Sequence, residues 1–554
     1  MPRLSIAASN LAWMASCLPA YRLFHKALRE PQRVQEALLM EILDRNKQSK
    51  KGVTFKFAAI SSVQEYQNRV PVSNYDDIAP VIDEMKLGIA NLLTSEPLVA
   101  FEKSSGSSSS AKYIPYTNSL RREFQNAVRA WMWDLYRHDP KLLGGRSYWL
   151  ITPLNRENEI THGGTPVGFE NDSEYLGLLE RRIVESLFAV PNGLAKINDI
   201  EASLYLTLRF LIQCEDLTLI SVWNPSFLTI LLRHLDSWAE KLLDDLGRGT
   251  ASYSSGADIP SSLVQKLKAQ PERARKLQQT LKDEGRLSTK ALWPRLRLIS
   301  CWTDGAAQQS IQDISAIFPG IHIQGKGLLA TEGVATIPWI DANGCLPALT
   351  SHFFEFLPGN GGVTRLVHEL EMGVEYSLVM TTSGGLYRYR LGDRVRVEGF
   401  YKDIPILKFS GRDDGVSDLR GEKLSPAFVQ ACLDTSLAVS EVSVCFAMLA
   451  PLHQSPAGYV LYVESSSNPR DLGLLMESEL RANPHYEYCR SLGQLRELMV
   501  YWVRRNAHQT YLNRCVEMGQ RAGGVKPTCL HHSGGWEDFF EGSFINTHSE
   551  VASW

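Results

Sequence analysis

The residues with the most chemistry to offer are six serines. Between Lys103 and Lys112 the chain reads Ser104-Ser105-Gly106-Ser107-Ser108-Ser109-Ser110-Ala111. In such a run of small residues, backbone N–H groups can converge on an anion, the hydroxyls add donors, and Lys112 adds a cation. Phosphate is the ligand that suits it. Composition alone would favour a flexible Ser/Gly linker. A linker should separate domains, however, whereas this run lies between PLVAFEK and KYIPYT, two apolar segments close enough to be neighbours in one sheet. A second serine-rich stretch, Thr250 to Asp258, has no lysine or strand after it and reads as a loop only. The nucleotide loop of kinases and P-loop ATPases is not matched. With Gly106 as its first glycine, Ala111 falls on the second and Tyr113 on the metal-binding hydroxyl.

Other groups of the right type follow at long intervals. Thr331 and Glu332 stand between a predicted strand and Gly333, and Asp393 follows a glycine in YRYRLGD. Arg412 is the second residue of GRDDGVSDLRGEK, which ends on Lys423, and Lys526 stands alone in GQRAGGVKPTCL just before a proline. Singly, Asp393 is explained as a turn residue and Arg412 as half of a local ion pair. An acidic residue between Thr and Gly at a strand end of an α/β fold points more strongly to a site. The nine cysteines include no Cys-x-x-Cys and the thirteen histidines no His-Glu-x-x-His, which gives a zinc site little support.

A large scaffold must carry these groups. The chain has 554 residues, 44% hydrophobic and 21% charged, enough for a large core and at least two domains. Its 58 basic and 61 acidic residues form no block of like charge, so neither nucleic acid nor an anionic membrane surface is an expected partner. Nowhere do 18 uninterrupted apolar residues occur, and no transmembrane helix is expected. The opening MPRLSIAASNLAWMASCLPA resembles a signal peptide only superficially. Asn10 interrupts it, and it continues into LFHKALREPQRVQEALLMEIL at helical spacing, so an amphipathic helix is predicted. With cysteines used as small hydrophobes, a cytoplasmic protein is expected.

Helices are predicted over residues 10 to 100, from Asn118 to Asp139-Pro140, and over most of 175 to 250, with a new helix starting at Asn224-Pro225. Strands are predicted on both sides of the serine run, at GGRSYWLITPL, and leading into glycine turns at LWPRLRLISCWTDGAA and IHIQGKGLLATEGVATIPWI. This alternation indicates an α/β fold. In GGLYRYRLGDRVRVEGFY, two alternating runs flank Leu-Gly-Asp, which predicts two antiparallel strands joined there. The Gly- and Asp-rich LKFSGRDDGVSDLRGEKLSP marks a joint between residues 1–413 and a smaller α+β domain, residues 414–554.

Taken in order, the motifs resemble those of the adenylate-forming superfamily. SSGSSSSAK is similar at both ends to its phosphate loop, LATEG to its Thr-Glu motif, YRYRLGD to its Arg-x-Gly-Asp motif, and GRDDGVSDLRGEK to its interdomain hinge. The stretches VWNPSFLTILL, GLLATEGVATIPW, GLYRYRLGDRV and NPHYEYCRSLGQL resemble the auxin-responsive Gretchen Hagen family of acyl acid amido synthetases, in its bacterial branch, and the resemblance covers nearly the whole chain. It implies a large N-terminal adenylate-forming domain, of sheets flanked by helices plus a small β-barrel, and a mobile C-terminal domain. It also implies roles. Ser104, Ser105, Gly106, Ser107 and Ser108 wrap the β- and γ-phosphates of ATP, with Lys112 as a point charge. Thr331 donates to the α-phosphate, and Glu332 gives a hard oxygen to Mg2+. Asp393 accepts from both ribose hydroxyls, and Arg412 supports the same sugar. Thr303 and Gly305, in WTDGA, lie against adenine; Ala330, counted with the nucleotide-binding residues, stands where many members carry a tyrosine, so that adenine stacks elsewhere. Ser109 departs from the glycine expected at its loop position. Lys526 is the mobile lysine that approaches the α-phosphate, with Lys423 the second candidate. Trp223 and Phe227 are candidates for the acid pocket.

The activity implied is that of an ATP-dependent ligase. A carboxylic acid becomes an acyl adenylate with release of pyrophosphate, and an amine, an amino acid in this reading, then displaces AMP to form an amide. A thiol of coenzyme A or of a carrier protein is the alternative acceptor, and an inactive nucleotide-binding scaffold is the alternative of another class. A monomer with small-molecule partners is expected; neither the acid nor the amine is specified.

Overall fold

In the computed structural model, which describes residues 3–104, 112–150, 159–168, 185–197, 199–253, 259–304, 307–359, 362–412, 415–440, 442–517 and 528–545, β1 (Leu98–Ser104) and β2 (Lys112–Thr117) form one two-stranded sheet. The segments flanking the serine run are therefore sheet neighbours, as their apolar character predicts. β2 passes directly into the helix Asn118–His138, because Thr117 turns its hydroxyl onto the N–H of Leu120 at 3.1 Å and caps the first turn. That helix ends before Asp139-Pro140, where proline disfavours helical geometry in the residue before it. The N-terminal helix Arg3–Ala27 packs along it, burying Ile6, Trp13 and Cys17 with Met132, Leu135 and Tyr136.

β3 (Arg146–Trp149), β4 (Leu217–Ser221), β5 (Leu298–Cys301) and β6 (His322–Gly325) form a parallel sheet in that order. Every residue of β4 and β5 is buried, the pattern of strands covered on both faces. The crossovers contain the helices Ile200–Gln213, Ser226–Arg248, Pro271–Glu284 and Gln308–Ile317. The second of these starts just after Asn224-Pro225, where Asn224 Oδ1 accepts the N–H of Ser226 at 3.0 Å.

β7 (Leu329–Ala330) and β8 (Gly333–Val334) form a minimal hairpin, and β9 (Thr336–Trp339) pairs antiparallel with β10 (Gly344–Pro347). In the region where a small barrel was implied, the described residues form an antiparallel sheet ordered β11 (Phe353–Pro358), β12 (Glu375–Thr381), β13 (Tyr389–Tyr401), β14 (Ile404–Arg412). One sequence expectation needs correcting here. Leu-Gly-Asp does not join two strands; it lies inside β13, a single strand of 13 residues. The step from Ser377 to Val379 on β12 faces Arg394 to Arg390 on β13, so the extra length is taken up as a bulge, with Gly392 at φ 87°. Glycine enters this left-handed region at little cost, and the bulge preserves the alternating pattern on both sides that looked like two strands.

Of the described residues, those from Arg3 to Ser104 and from Tyr113 to Gly411 form one compact unit, and Lys112 with the residues from Arg412 on belongs to a second. In the second, β15 (Val444–Leu452), β16 (Gly458–Ser465), β17 (Met499–Val503) and β18 (Gly542–Ile545) form a mixed sheet with β16 and β17 parallel. Phe446, Met448, Tyr462, Tyr501, Trp536 and Phe540 build its core, and the helices Pro426–Val439, Arg470–Leu480 and Pro484–Ser491 complete an α+β unit. Among the described residues no helix is long and apolar enough to cross a membrane.

A buried acid sits near the start of this unit. Glu422 accepts the N–H groups of Leu419 and Arg420, each at 2.7 Å, and the hydroxyl of Tyr459. Burial, and next the charge of Asp418, outweigh those bonds and raise its carboxyl from 4.5 to about 7. Between those two values the folded state holds a proton that the unfolded chain releases. Stability from this group is therefore complete below pH 4.5 and lost as the pH rises through 7, up to about 3 kcal/mol in all. Thermal unfolding of wild type and Glu422→Gln from pH 4.5 to 7.5 should show a flatter pH dependence in the variant. Parallel curves would refute the assignment.

Candidate active site

Thr331 and Glu332 form the tip of the β7–β8 hairpin, between the paired residues Ala330 and Gly333. Tyr116, in the strand that leaves the serine run, donates its hydroxyl to the carbonyl of Thr331 at 2.7 Å, across 215 residues of sequence. Tyr75, the first residue of the helix Tyr75–Lys86, accepts the N–H of Tyr113 at 2.8 Å. Burial raises the Tyr75 phenol, and the nearby charges of Asp83 and Glu332 add to the shift. Tyr389, at the start of β13, donates to Glu332 Oε1 at 3.4 Å. Glu332 is only 7% exposed and Asp393, carried by the β13 bulge, only 4%. Ser73, two residues before Tyr75, donates to the carbonyl of Arg388 at 3.0 Å and accepts the N–H of Arg390 at 2.8 Å, tying the start of β13 to that helix.

A buried pair shapes the hairpin from behind. His352 accepts the N–H of Val334 at its Nε2, 3.1 Å away, which leaves Nδ1 to donate to Glu123 Oε2 at 3.1 Å. Glu123 also accepts the N–H of Ser383 at 3.2 Å. A Cβ on Gly333 would stand 2.4 Å from His352 Nε2. Gly333→Ala should therefore force the imidazole or the hairpin aside, at about 1–3 kcal/mol of stability. Denaturant unfolding checks this, and a variant as stable as wild type would show that the ring has room to move.

The carboxyl ends of the parallel strands carry the remaining predicted residues. Thr303 follows β5, and a Cβ on Gly325 would stand 2.6 Å from its Oγ1. Asp304 accepts hydrogen bonds from the backbone of Phe409 in β14 and from the Thr303 side chain, while burial raises its carboxyl. Trp223 follows β4, its ring centroid 5.7 Å from that of Trp302. Phe227, 4% exposed, lies in the first turn of the helix Ser226–Arg248, among that helix's buried residues. Lys326, which the sequence did not single out, follows β6 and is 3% exposed.

Of the other predicted residues, Ser104 ends β1, Lys112 opens β2, Ala330 ends β7 and Arg412 closes β14. Lys423 follows the buried Glu422 at φ 45°. Ser105, Gly106, Ser107, Ser108, Gly305 and Lys526 lie outside the described residues. The structure thus seats the Thr331-Glu332 tip against the strand that leaves the serine run and against Tyr389 of β13, the strand that carries Asp393. Tyr75, Tyr116 and His352 gave no signal in the sequence; Tyr389 did so only by lying in YRYRLGD. The second serine-rich stretch starts as a structural cap: Thr250 and Ser252 donate their hydroxyls to Asp245, each at 2.6 Å. Asp134, His138 and Asp341 are grouped closely enough to hold a metal ion, but Arg137 donates to both carboxylates, at 3.2 and 2.8 Å, and makes the group an ion-pair network.

The sequence matches the GH3 family N-terminal domain over residues 20–323, the central domain over 345–412 and the C-terminal domain over 426–534. It is similar to an indole-3-acetic acid-amido synthetase, GH3.3, of Arabidopsis thaliana, 26% identical across 90% of this chain and 91% of the relative. It is also similar to jasmonoyl–L-amino acid synthetase JAR6 of Nicotiana attenuata, 23% identical across 92% of each. A solved GH3.15 acyl acid amido synthetase in complex with 2,4-DB shares the fold at a TM-score of 0.64, with 21% identity and 96% of each chain covered. Matched in all three domains and over most of its length, the chain is a member of the GH3 family.

Proposed function

We propose that the chain is an ATP-dependent acyl acid amido synthetase, which activates a carboxylic acid as its acyl adenylate and passes the acyl group to an amino acid. The family match supports the reaction class, and the relatives named above are amido or amino acid synthetases. The observation that carries the site is the Tyr116–Thr331 hydrogen bond, which joins the serine run's exit strand to the Thr-Glu tip. In this reading Ser104, Ser105, Gly106, Ser107, Ser108 and Lys112 hold the β- and γ-phosphates. Thr331 orients the α-phosphate, Asp393 and Arg412 hold the ribose, and Thr303, Gly305 and Ala330 border the adenine. Glu332, a hard carboxylate at a hairpin tip beside those phosphates, suits Mg2+, which neutralises charge on them.

A carboxylate oxygen of the acid attacks the α-phosphorus and pyrophosphate leaves. The amine nitrogen then attacks the acyl carbon, loses a proton, and AMP departs, a far better leaving group than the oxide of a free acid. In the first step the smaller domain, 414–554, closes and Lys526 approaches the α-phosphate, with Lys423 the alternative; the domain then rotates about residues 414 to 418 for the second. Replacing the operative lysine removes a charge focused on the transition state. Lys526→Ala should therefore slow acid-dependent pyrophosphate release by about 10², and unchanged release would shift the role to Lys423. The nine cysteines, all unpaired, accord with action in the reducing cytoplasm, and we take the protein as a monomer of the bacterial branch.

The test supplies ATP, magnesium and a panel of carboxylic acids, and follows pyrophosphate. Amino acids and thiols, given separately, should yield an amide by mass and no thioester. A thioester would move the enzyme to the thiol-acylating class, and failure of every acid on the panel to support pyrophosphate release would leave only a nucleotide-binding scaffold.

A further inference from the structure

Thr331 and Glu332 sit on a hairpin too short to hold them still. Its strands pair over only two rungs, Leu329 with Val334 and Ala330 with Gly333, and a ladder of that length has little stability of its own. The precision that a metal or phosphate ligand needs must therefore come from outside it. One arm of the fold supplies two such holds. Tyr116, on β2, bonds the carbonyl of Thr331, and Glu123, in the second turn of the helix that continues β2, reaches Val334 through His352.

His352 is itself immobilised. It is fully buried, and Gln35 clamps its main chain by donating to the carbonyl of His352 and accepting the N–H of Phe354, each at 2.8 Å. The ring occupies the space that a Cβ on Gly333 would take. Because Nε2 accepts the N–H of Val334, Nδ1 carries the proton and donates it to Glu123. Glu123, only 6% exposed, is fixed in turn by the N–H of Ser383. An apolar pair of the same volume often stabilises a core as well or better, so packing alone does not account for these two residues. What they add is a rigid acceptor for one main-chain N–H, two residues from Glu332.

We infer that Glu123 and His352 are positioning residues for Glu332: the buried relay fixes the hairpin through the N–H of Val334, and so sets how tightly the magnesium–ATP complex is held. The inference rests on the ligase reading for the ion and the nucleotide at the tip. Both residues act through the main chain of the hairpin.

Two variants of similar polarity separate this role from a merely structural one. In His352→Gln the amide oxygen can take the place of Nε2 and accept from Val334, whereas in His352→Asn the shorter amide can only take the place of Nδ1 and donate to Glu123. The full chain is measured in each form for melting temperature, for calorimetric binding of ATP in magnesium and in EDTA, and for acid-dependent pyrophosphate release. His352→Asn should weaken binding of magnesium–ATP by about 10-fold, as loss of an outer hydrogen bond behind a metal ligand typically does, with metal-free binding kept within about threefold. His352→Gln should stay near wild type in both. A pair with only a structural role would lower the melting temperature of both variants and leave magnesium–ATP binding alone in both, and that result overturns the inference. Equal weakening with and without magnesium in His352→Asn overturns it too. So does a wild type that binds ATP equally well in EDTA, whether or not the variants fold. If magnesium–ATP binding follows His352 but no acid on the panel supports pyrophosphate release, the ligase reading falls and the relay stands. If pyrophosphate is released and His352→Asn binds magnesium–ATP as wild type does, the relay falls and the ligase reading stands.

Discussion

Asp393→Ala is expected to cut kcat/KM for ATP by about 10²- to 10⁴-fold. In the proposed complex its two carboxylate oxygens each accept one ribose hydroxyl, and a hydrogen bond to a charged group contributes about 1.5–3 kcal/mol, so two of them account for that range. The bulge makes this geometry available. Gly392 turns through φ 87°, and Asp393 leaves the β12–β13 ladder on a strand whose first residue, Tyr389, contacts Glu332. Bulges beside binding sites re-aim a side chain in this way. Asp393→Asn keeps one acceptor and should lose about tenfold. Initial rates of pyrophosphate release across ATP concentrations measure both variants. An Asp393→Ala protein with a wild-type KM for ATP, or one that merely melts lower, would make the residue structural.

The second large effect concerns stability. Arg388 lies in YRYRLGD immediately before Tyr389 and holds φ 45°, a left-handed backbone uncommon for any residue but glycine. Its guanidinium fixes that conformation. Nε donates to Glu355 Oε2 at 3.0 Å, Nη1 to the carbonyls of Gln67 and Val70, each at 2.8 Å, and Nη2 to Thr364 Oγ1 at 2.8 Å. Glu355 is 1% exposed and, among the described residues, keeps Gln67 and Thr364 as donors, at 2.9 and 2.6 Å, once the arginine is gone. Arg388→Ala leaves a buried carboxylate without its countercharge and two carbonyls without their donor, and should cost about 3–5 kcal/mol. Adding Glu355→Gln should recover part of the loss, because the orphaned charge goes with it. Denaturant midpoints of the two variants give the measurement, and equal loss in both would assign the effect to backbone strain.

Much of this protein is legible along the chain because the information is local. The helix from Asn118 announces itself by its periodicity and its proline stop, β3, β5 and β6 by short apolar runs, and the serine run by lying between segments that proved to be sheet neighbours; β4, inside a stretch read as mostly helical, does not. Misreading β13 shows the limit of periodicity. A positive-φ glycine inside a strand and one between two strands leave the same alternation on either side, and only the partner strand's register tells them apart.

Family membership and the order of the motifs are legible in the chain alone, since both are patterns of residue type and spacing. Which residues meet was decided by tertiary structure alone. Tyr116 touches Thr331 and His352 backs Gly333, because a strand, a hairpin tip and the residue before another strand, far apart in the chain, are packed together by the fold. Side-chain contacts of that kind depend on strand order and register, which a local pattern does not encode.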